Sequence, residues 1–165
     1  MLQFARPLFL LLLVVAAILI TVTTDHLPEY IASHFGANGI ANGWMDHATY
    51  RVFMLAFAIV IPIGVVLVSG VLPRKMTNLI NLPNRTYWMA PAQREATLRY
   101  LETHAYWLGS LLVVFVAAIH LLLIAANTTQ PPRLPGQLFG VLMVLFALGM
   151  AVWASTLILH FRRTP

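Results

Sequence analysis

The residues best suited to chemistry are six histidines, His26, His34, His47, His104, His120 and His160, and five acids, Asp25, Glu29, Asp46, Glu95 and Glu102. His120 stands apart because it lies inside the apolar run "VVFVAAIHLLLIAAN". An ionisable group within a membrane span marks a functional site by default, and the plainer reading is a neutral imidazole bonded to a neighbouring helix. Imidazole suits Zn, Cu, Fe or Ni. His34, His47 and His120 are therefore the candidate metal set, with Asp25 or Asp46 as a carboxylate to complete it. Against that reading, no two histidines have a compact spacing such as His-x-x-x-His, and otherwise no cofactor is expected. The chain has no cysteine, which excludes disulfides, thiolate catalysis and Cys-based metal or iron–sulfur sites. There is no His-Glu-x-x-His and no Gly-x-Ser-x-Gly. Ser33, Ser69 and Ser110 show no pattern that sets them beside a histidine. One histidine in one span also falls short of the bis-histidine ligation of a membrane b-type cytochrome.

These side chains must be positioned by membrane helices. Of 165 residues, 60% are hydrophobic and 9% charged, and the mean hydropathy is +0.82. Soluble domains carry about 25% charged residues, and a bilayer-spanning helix needs about 20 apolar ones. The expected fold is all-α, a single domain of four spans at about 7–24, 52–72, 105–126 and 137–159. The first span is read as a retained helix rather than a cleaved signal, because its apolar run outlasts the usual ~7–15 residues of a signal h-region. Pro62 should kink the second. Gly136 and Gly140 form a small-xxx-small pair at the start of the fourth, which can permit close helix approach.

The net charge of +5 does not point to nucleic acid, because the basic residues sit at the ends of apolar runs. Eight of the ten, Arg6, Arg74, Lys75, Arg85, Arg94, Arg99, Arg162 and Arg163, fall at the termini or between spans two and three. Only Arg51 and Arg133 fall in the other connections. The positive-inside rule then puts both termini and the middle segment in the cytoplasm. His26, His34, His47 and the far end of span three, with His120, share the outer side.

Two connecting segments carry recognisable chemistry. The outer loop contains "HFGANGIANGW", His34 to Trp44, whose repeated Ala-Asn-Gly predicts two consecutive turns using positive φ. Trp44 would anchor it at the interface. The middle segment, "NLPNRTYWMAPAQREATLRYL", is bracketed by Pro83 and Pro91. Pro91 suits the first turn of a helix, so an amphipathic helix is expected to start there and continue into span three. Arg85, Arg94 and Arg99 could meet lipid phosphates, although no glycine-rich phosphate loop is present.

The stretch "LPEYIASHFGANGIANGWMDHATY", between a first and a second span, resembles the bacterial membrane domain of unknown function found at the N-terminus of SdpI-type immunity proteins. The matching positions are Leu27, Pro28, Ile31, His34, Phe35, Gly39, Gly43 and Trp44, with Asn42 where an acid is common. The middle segment is similar to a motif in a subset of these proteins, carried here by Asn81, Pro83, Asn84, Tyr87, Trp88 and Arg94. The resemblance implies a multi-pass protein of the bacterial cytoplasmic membrane, and proteins of that type act in toxin immunity and signalling. It adds His34, Phe35, Gly39, Gly43 and Trp44 as a ligand- or partner-binding loop. The functional expectation is a non-enzymatic interaction or accessory subunit. Its partners would be membrane lipids and another membrane protein or a second copy. The alternative is a small transporter or metal-binding enzyme using the outer histidines.

Overall fold

The computed structural model describes residues 2–162. Arg163, one of the basic residues counted after span four, lies outside them. Four helices are long and apolar enough to cross a membrane: α1 (Leu2–Thr24), α2 (His47–Lys75), α3 (Arg94–Asn127) and α4 (Gly136–Arg162). Between α1 and α2 the chain forms an antiparallel hairpin of β1 (Tyr30–Phe35) and β2 (Ala41–Asp46). The helical expectation with four spans holds, and it is amended in the outer loop alone. The outer loop is a β-hairpin, because its backbone polar groups find partners in each other and in α3.

The helices alternate in direction around α3. Phe9 and Thr23 of α1 meet Tyr106 and His120 of α3, so these two run parallel. Tyr50 and Gly70 of α2 meet His120 and Ala105, so α2 runs the opposite way. Phe146 and Trp153 of α4 meet Phe115 and His104, so α4 also opposes α3. In lipid, helices gain little from hydrophobic exclusion and associate by close packing of small residues and by interhelical hydrogen bonds. The buried seam of α1 shows this: Ala5, Phe9, Leu13, Ala16, Ile20 and Thr24 recur at intervals of three or four. Ala58 of α2 and Ala105 of α3 are similarly buried.

Span two contains two widened π turns, at Ala56–Val60 and Leu67–Val71. Each ends two residues before a proline, Pro62 and Pro73. A proline lacks an N–H and its ring pushes aside the carbonyl four residues back, and a π turn is one way for a helix to absorb that. The proline response in α2 is thus a local widening at both places. The helix also begins at His47, a full turn earlier than its apolar run. Asp46 caps it, its carboxylate accepting from Thr49 N at 3.0 Å and Thr49 Oγ1 at 2.7 Å. The Thr49 N–H first, and then its hydroxyl, hold the Asp46 carboxyl below its ordinary value.

Two glycines set how closely the spans approach. A Cβ at Gly109 would lie 2.7 Å from both the Phe9 ring and a Val66 methyl, so α1, α2 and α3 meet there. A Cβ at Gly70 would lie 2.7 Å from Ala105 Cβ and 3.3 Å from Glu102 Cα, neither of which can swing away. Gly70→Ala should therefore lower stability by about 1–3 kcal/mol through overpacking, outweighing a helix-propensity gain of about 1 kcal/mol. Gly64 of the same helix faces open space, so Gly64→Ala should be neutral or mildly stabilising. Thermal unfolding of both variants in one detergent checks the contrast. Gly136 and Gly140 have nothing within 4 Å of a built Cβ, so that small-residue pair brings no other helix close among the described residues.

The expected helix of the middle segment is present and runs unbroken into span three as α3, although it starts at Arg94 after a turn at Pro91. Asn84 takes the left-handed conformation, φ 52°, before a single helical turn at Arg85–Trp88. Arg85 donates to Thr77 O and Ile80 O, which ties it to its own loop. Trp88 Nε1 donates to Phe161 O at 3.1 Å, and Thr97 Oγ1 donates to Trp88 O at 2.9 Å. Asn81, Pro83, Asn84, Tyr87 and Trp88 thus belong to a strap that joins the end of α4 to the start of α3. Arg94, the last residue of that motif, is exposed at the helix start.

Candidate functional site

The hairpin is the strand structure at one end of the bundle, and its hydrogen bonding explains how it is held. Asn127, in the last turn of α3, has a buried carboxamide. Its Oδ1 accepts from Ala32 N at 2.8 Å and its Nδ2 donates to Ala32 O at 3.0 Å and Leu123 O at 2.8 Å. One side chain thereby does for β1 what a neighbouring strand would do, and β1 is not left as an open edge. Ile31 and Ala32 beside it are both fully buried. The tip is fixed independently. Ala41 N donates to Pro132 O at 3.2 Å, and Leu134 N donates to Gly39 O at 2.9 Å.

Within the tip, Gly36 N donates to Ile40 O at 2.9 Å and Gly39 has φ +75°. A side chain at Gly39 would be strained by that conformation and would also crowd Leu134 O, 3.3 Å from a built Cβ. Only the first Ala-Asn-Gly contributes to the turn. The second, Ala41 to Gly43, lies in β2, so the expectation of two consecutive turns is corrected. A register shift around Ser33 leaves His34 opposite Gly43. The His34 side chain lies over this glycine, its Cβ 3.1 Å from where a Gly43 Cβ would be. His34 Nδ1 and Ser33 Oγ are 3.2 Å apart. Trp44, opposite Ala32, is exposed.

Below the hairpin, α2 and α4 both rest on α3 and leave a cleft of about 350 Å³ between them. Its walls include Phe53 and Phe57 of α2, Phe115 of α3 and Phe139 of α4, with His34 and Phe35 at its β1 edge. The volume is at the small end of the ~300–1,000 Å³ common for ligand sites, and apolar walls with a few polar groups are their usual makeup.

The histidines do not converge. His120 is fully buried, between α1 and α2. Tyr50 Oη lies 2.9 Å from its Nδ1, and Thr23 Oγ1 lies 2.7 Å from its Nε2. Thr23 has one hydroxyl proton, which it donates to Leu19 O at 2.6 Å. The protons therefore run one way: Tyr50 O–H to Nδ1, Nε2–H to Thr23, and Thr23 O–H to Leu19 O. Both ring nitrogens of the neutral imidazole are used. His47 Nε2 is 2.8 Å from Leu27 O, and Asp25 pairs with Arg51. No group of three His, Cys, Asp or Glu side chains able to hold a metal occurs among the described residues. His34, His47 and His120, the candidate metal set, are not brought together among the described residues, and each ring lies against a different neighbour.

Residues 11–68 match a family model described as a domain of unknown function, DUF1648. No curated protein and no solved structure matches the chain. The DUF1648 segment contains the hairpin, Thr23 and Tyr50, while His120 and Asn127 come from α3, outside it. Thr23, Tyr50 and Ala32 of this segment are thus met by side chains of a later span, while Asp25–Arg51 and His47–Leu27 hold it from within. Sequence reading singled out His120 and missed its partners Thr23 and Tyr50, and it missed Asn127. An asparagine closing a 34-residue apolar helix was the available signal, since an amide buried there needs partners.

Proposed function

We propose that this chain is a non-enzymatic membrane interaction protein that receives an apolar segment of a partner membrane protein, or of a second copy, in the cleft beneath the hairpin. The cleft itself carries the reading. It is concave, walled by four phenylalanines, and edged by a hairpin that is fixed at two points. The buried polar side chains nearby are already engaged, His120 with Thr23 and Tyr50 and Asn127 with the backbone of Ala32 and Leu123, so they supply positioning rather than chemistry. No cofactor enters this reading.

The same reading puts the hairpin on the outer face of a bacterial cytoplasmic membrane. Supporting it, seven cations among the described residues gather at the opposite end, and only Arg51 and Arg133 lie at the hairpin end. The bias favours a cytoplasmic location for the crowded end. A narrower role in toxin immunity or signalling is supported by the likeness of Leu27–Tyr50 to SdpI-type immunity proteins.

A photo-reactive phenylalanine analogue at Phe53 or Phe139, on opposite walls, tests the proposal in native membranes. The expected result is a discrete protein adduct from both positions and none from Leu10, which faces outward on α1. Lipid adducts alone, or equal protein labelling from Leu10, would overturn it.

A further inference from the structure

At the end opposite the hairpin, α1 and α3 begin side by side. The contact of the Phe9 and Tyr106 rings, 5.7 Å between centroids, sets their relative height. Arg6 is one turn before Phe9, and Arg99 is two turns before Tyr106. Together with Leu2, Gln3, Pro7 and Glu102 they line an open cavity of about 550 Å³. A span's hydrocarbon portion is about 20 residues. These arginines precede the apolar runs of α1 and α3, so the cavity lies at headgroup depth.

Charge accounting shows what the cavity would accept. Among the described residues, this end carries Arg6, Arg74, Lys75, Arg85, Arg94, Arg99 and Arg162 against Glu95 and Glu102. Both carboxylates are committed to Arg74, Glu102 at 2.9 Å and Glu95 at 3.2 Å. Arg99 reaches Glu95 only at 3.7 Å, and Arg6 makes no ion pair among the described residues. Two guanidiniums thus face one concave surface with a positive surplus. Guanidinium matches phosphate oxygens in a bidentate fork. A zwitterionic headgroup would bring an ammonium that needs a carboxylate, and both nearby carboxylates are occupied.

We propose that this cavity is a binding site for the headgroup of an anionic phospholipid, with its phosphate held by Arg6 and Arg99. Basic pockets between spans at the cytoplasmic side are a recurrent way to hold such lipids. The site is separate from the cleft under the hairpin and does not depend on what the cleft binds.

The test uses the full chain in detergent, titrated with dioleoyl phosphatidylglycerol or dioleoyl phosphatidylcholine, and read by native mass spectrometry and thermal shift. Wild type should bind phosphatidylglycerol about tenfold or more tightly than phosphatidylcholine, given two arginines at the surface. The double variant R6Q/R99Q should lose most of that preference. R94Q/R162Q removes the same charge from the same end, outside the cavity, and should keep it. Equal lipid preference in R6Q/R99Q and wild type, or equal loss in both double variants, would overturn the proposal. Inorganic phosphate is the third arm. If it displaces the lipid at comparable concentration, the site is one for free phosphate and the lipid assignment fails. Both arginines are exposed, and unfolding of each variant in phosphatidylcholine should match wild type, which separates lost binding from lost folding.

Discussion

Asn127→Leu should detach the hairpin while leaving the four spans in place. The substitution removes the two hydrogen bonds that close Ala32, at 2.8 and 3.0 Å. It leaves a buried N–H and a buried C=O without partners, and each such group costs about 1–3 kcal/mol. Leucine has the same branching and number of side-chain heavy atoms as asparagine and is somewhat bulkier, so no cavity opens and the loss is of polar satisfaction. The hairpin keeps its cross-strand bonds and its tip contacts at Pro132–Leu134, but an isolated two-stranded hairpin is marginal on its own. The expected readouts are faster protease cleavage between Gly36 and Asn42, and faster amide exchange at Ala32. Helix content by circular dichroism should be unchanged. Asn127→Asp tests the same geometry differently. A carboxylate can still accept from Ala32 N but cannot donate to Ala32 O or Leu123 O, so it should resemble leucine. A hairpin as protected as wild type in both variants would show that the carboxamide is not what holds it.

The pattern of what the sequence disclosed has a physical basis. Hydropathy is summed over a window, so the four spans can be read from composition before any contact is known. Pro91 with the apolar side of Ala92, Leu98, Leu101 and Leu108 likewise made the long α3 legible, because both signals are local. The hairpin was not legible. Tyr30–Phe35 is six residues long, its alternation is broken at Ile31 and Ala32, and its missing edge is supplied by a residue 95 positions away. Glycine and asparagine in the tip indicate a turn without saying whether strands flank it. The prolines of α2 were visible, but widening to π turns depends on how neighbouring helices let the backbone relax. His120 was visible as an anomaly because an imidazole in hydrocarbon is costly. Its partners are hydroxyls, and a threonine or tyrosine at a span end is unremarkable until the helices are assembled.

That assembly makes His120 the second sensitive point. His120→Ala should cost about 2–5 kcal/mol, since it opens a cavity at a fully packed position as well as breaking two interhelical bonds. Tyr50→Phe and Thr23→Val should each cost less. Interhelical hydrogen bonds in membranes average about 0.6 kcal/mol and reach about 1.7. Tyr50→Phe leaves Nδ1 without its donor, and Thr23→Val leaves Nε2–H without its acceptor. His120→Leu keeps most of the volume but orphans the Tyr50 hydroxyl, so it should fall between these and alanine, at about 1–3 kcal/mol. The decisive variant is the triple, T23V/Y50F/H120L. With all three polar groups replaced by apolar ones of similar shape, no group is left unsatisfied, and stability should return close to wild type. Thermal unfolding of the five variants in one detergent gives the comparison. A proton-carrying or metal-binding His120 makes a different prediction: the triple variant would regain stability yet still fail to complement loss of the native protein in cells. A triple variant that folds and complements would leave His120 as the bolt between α1, α2 and α3, and a triple variant less stable than His120→Leu would refute the network itself.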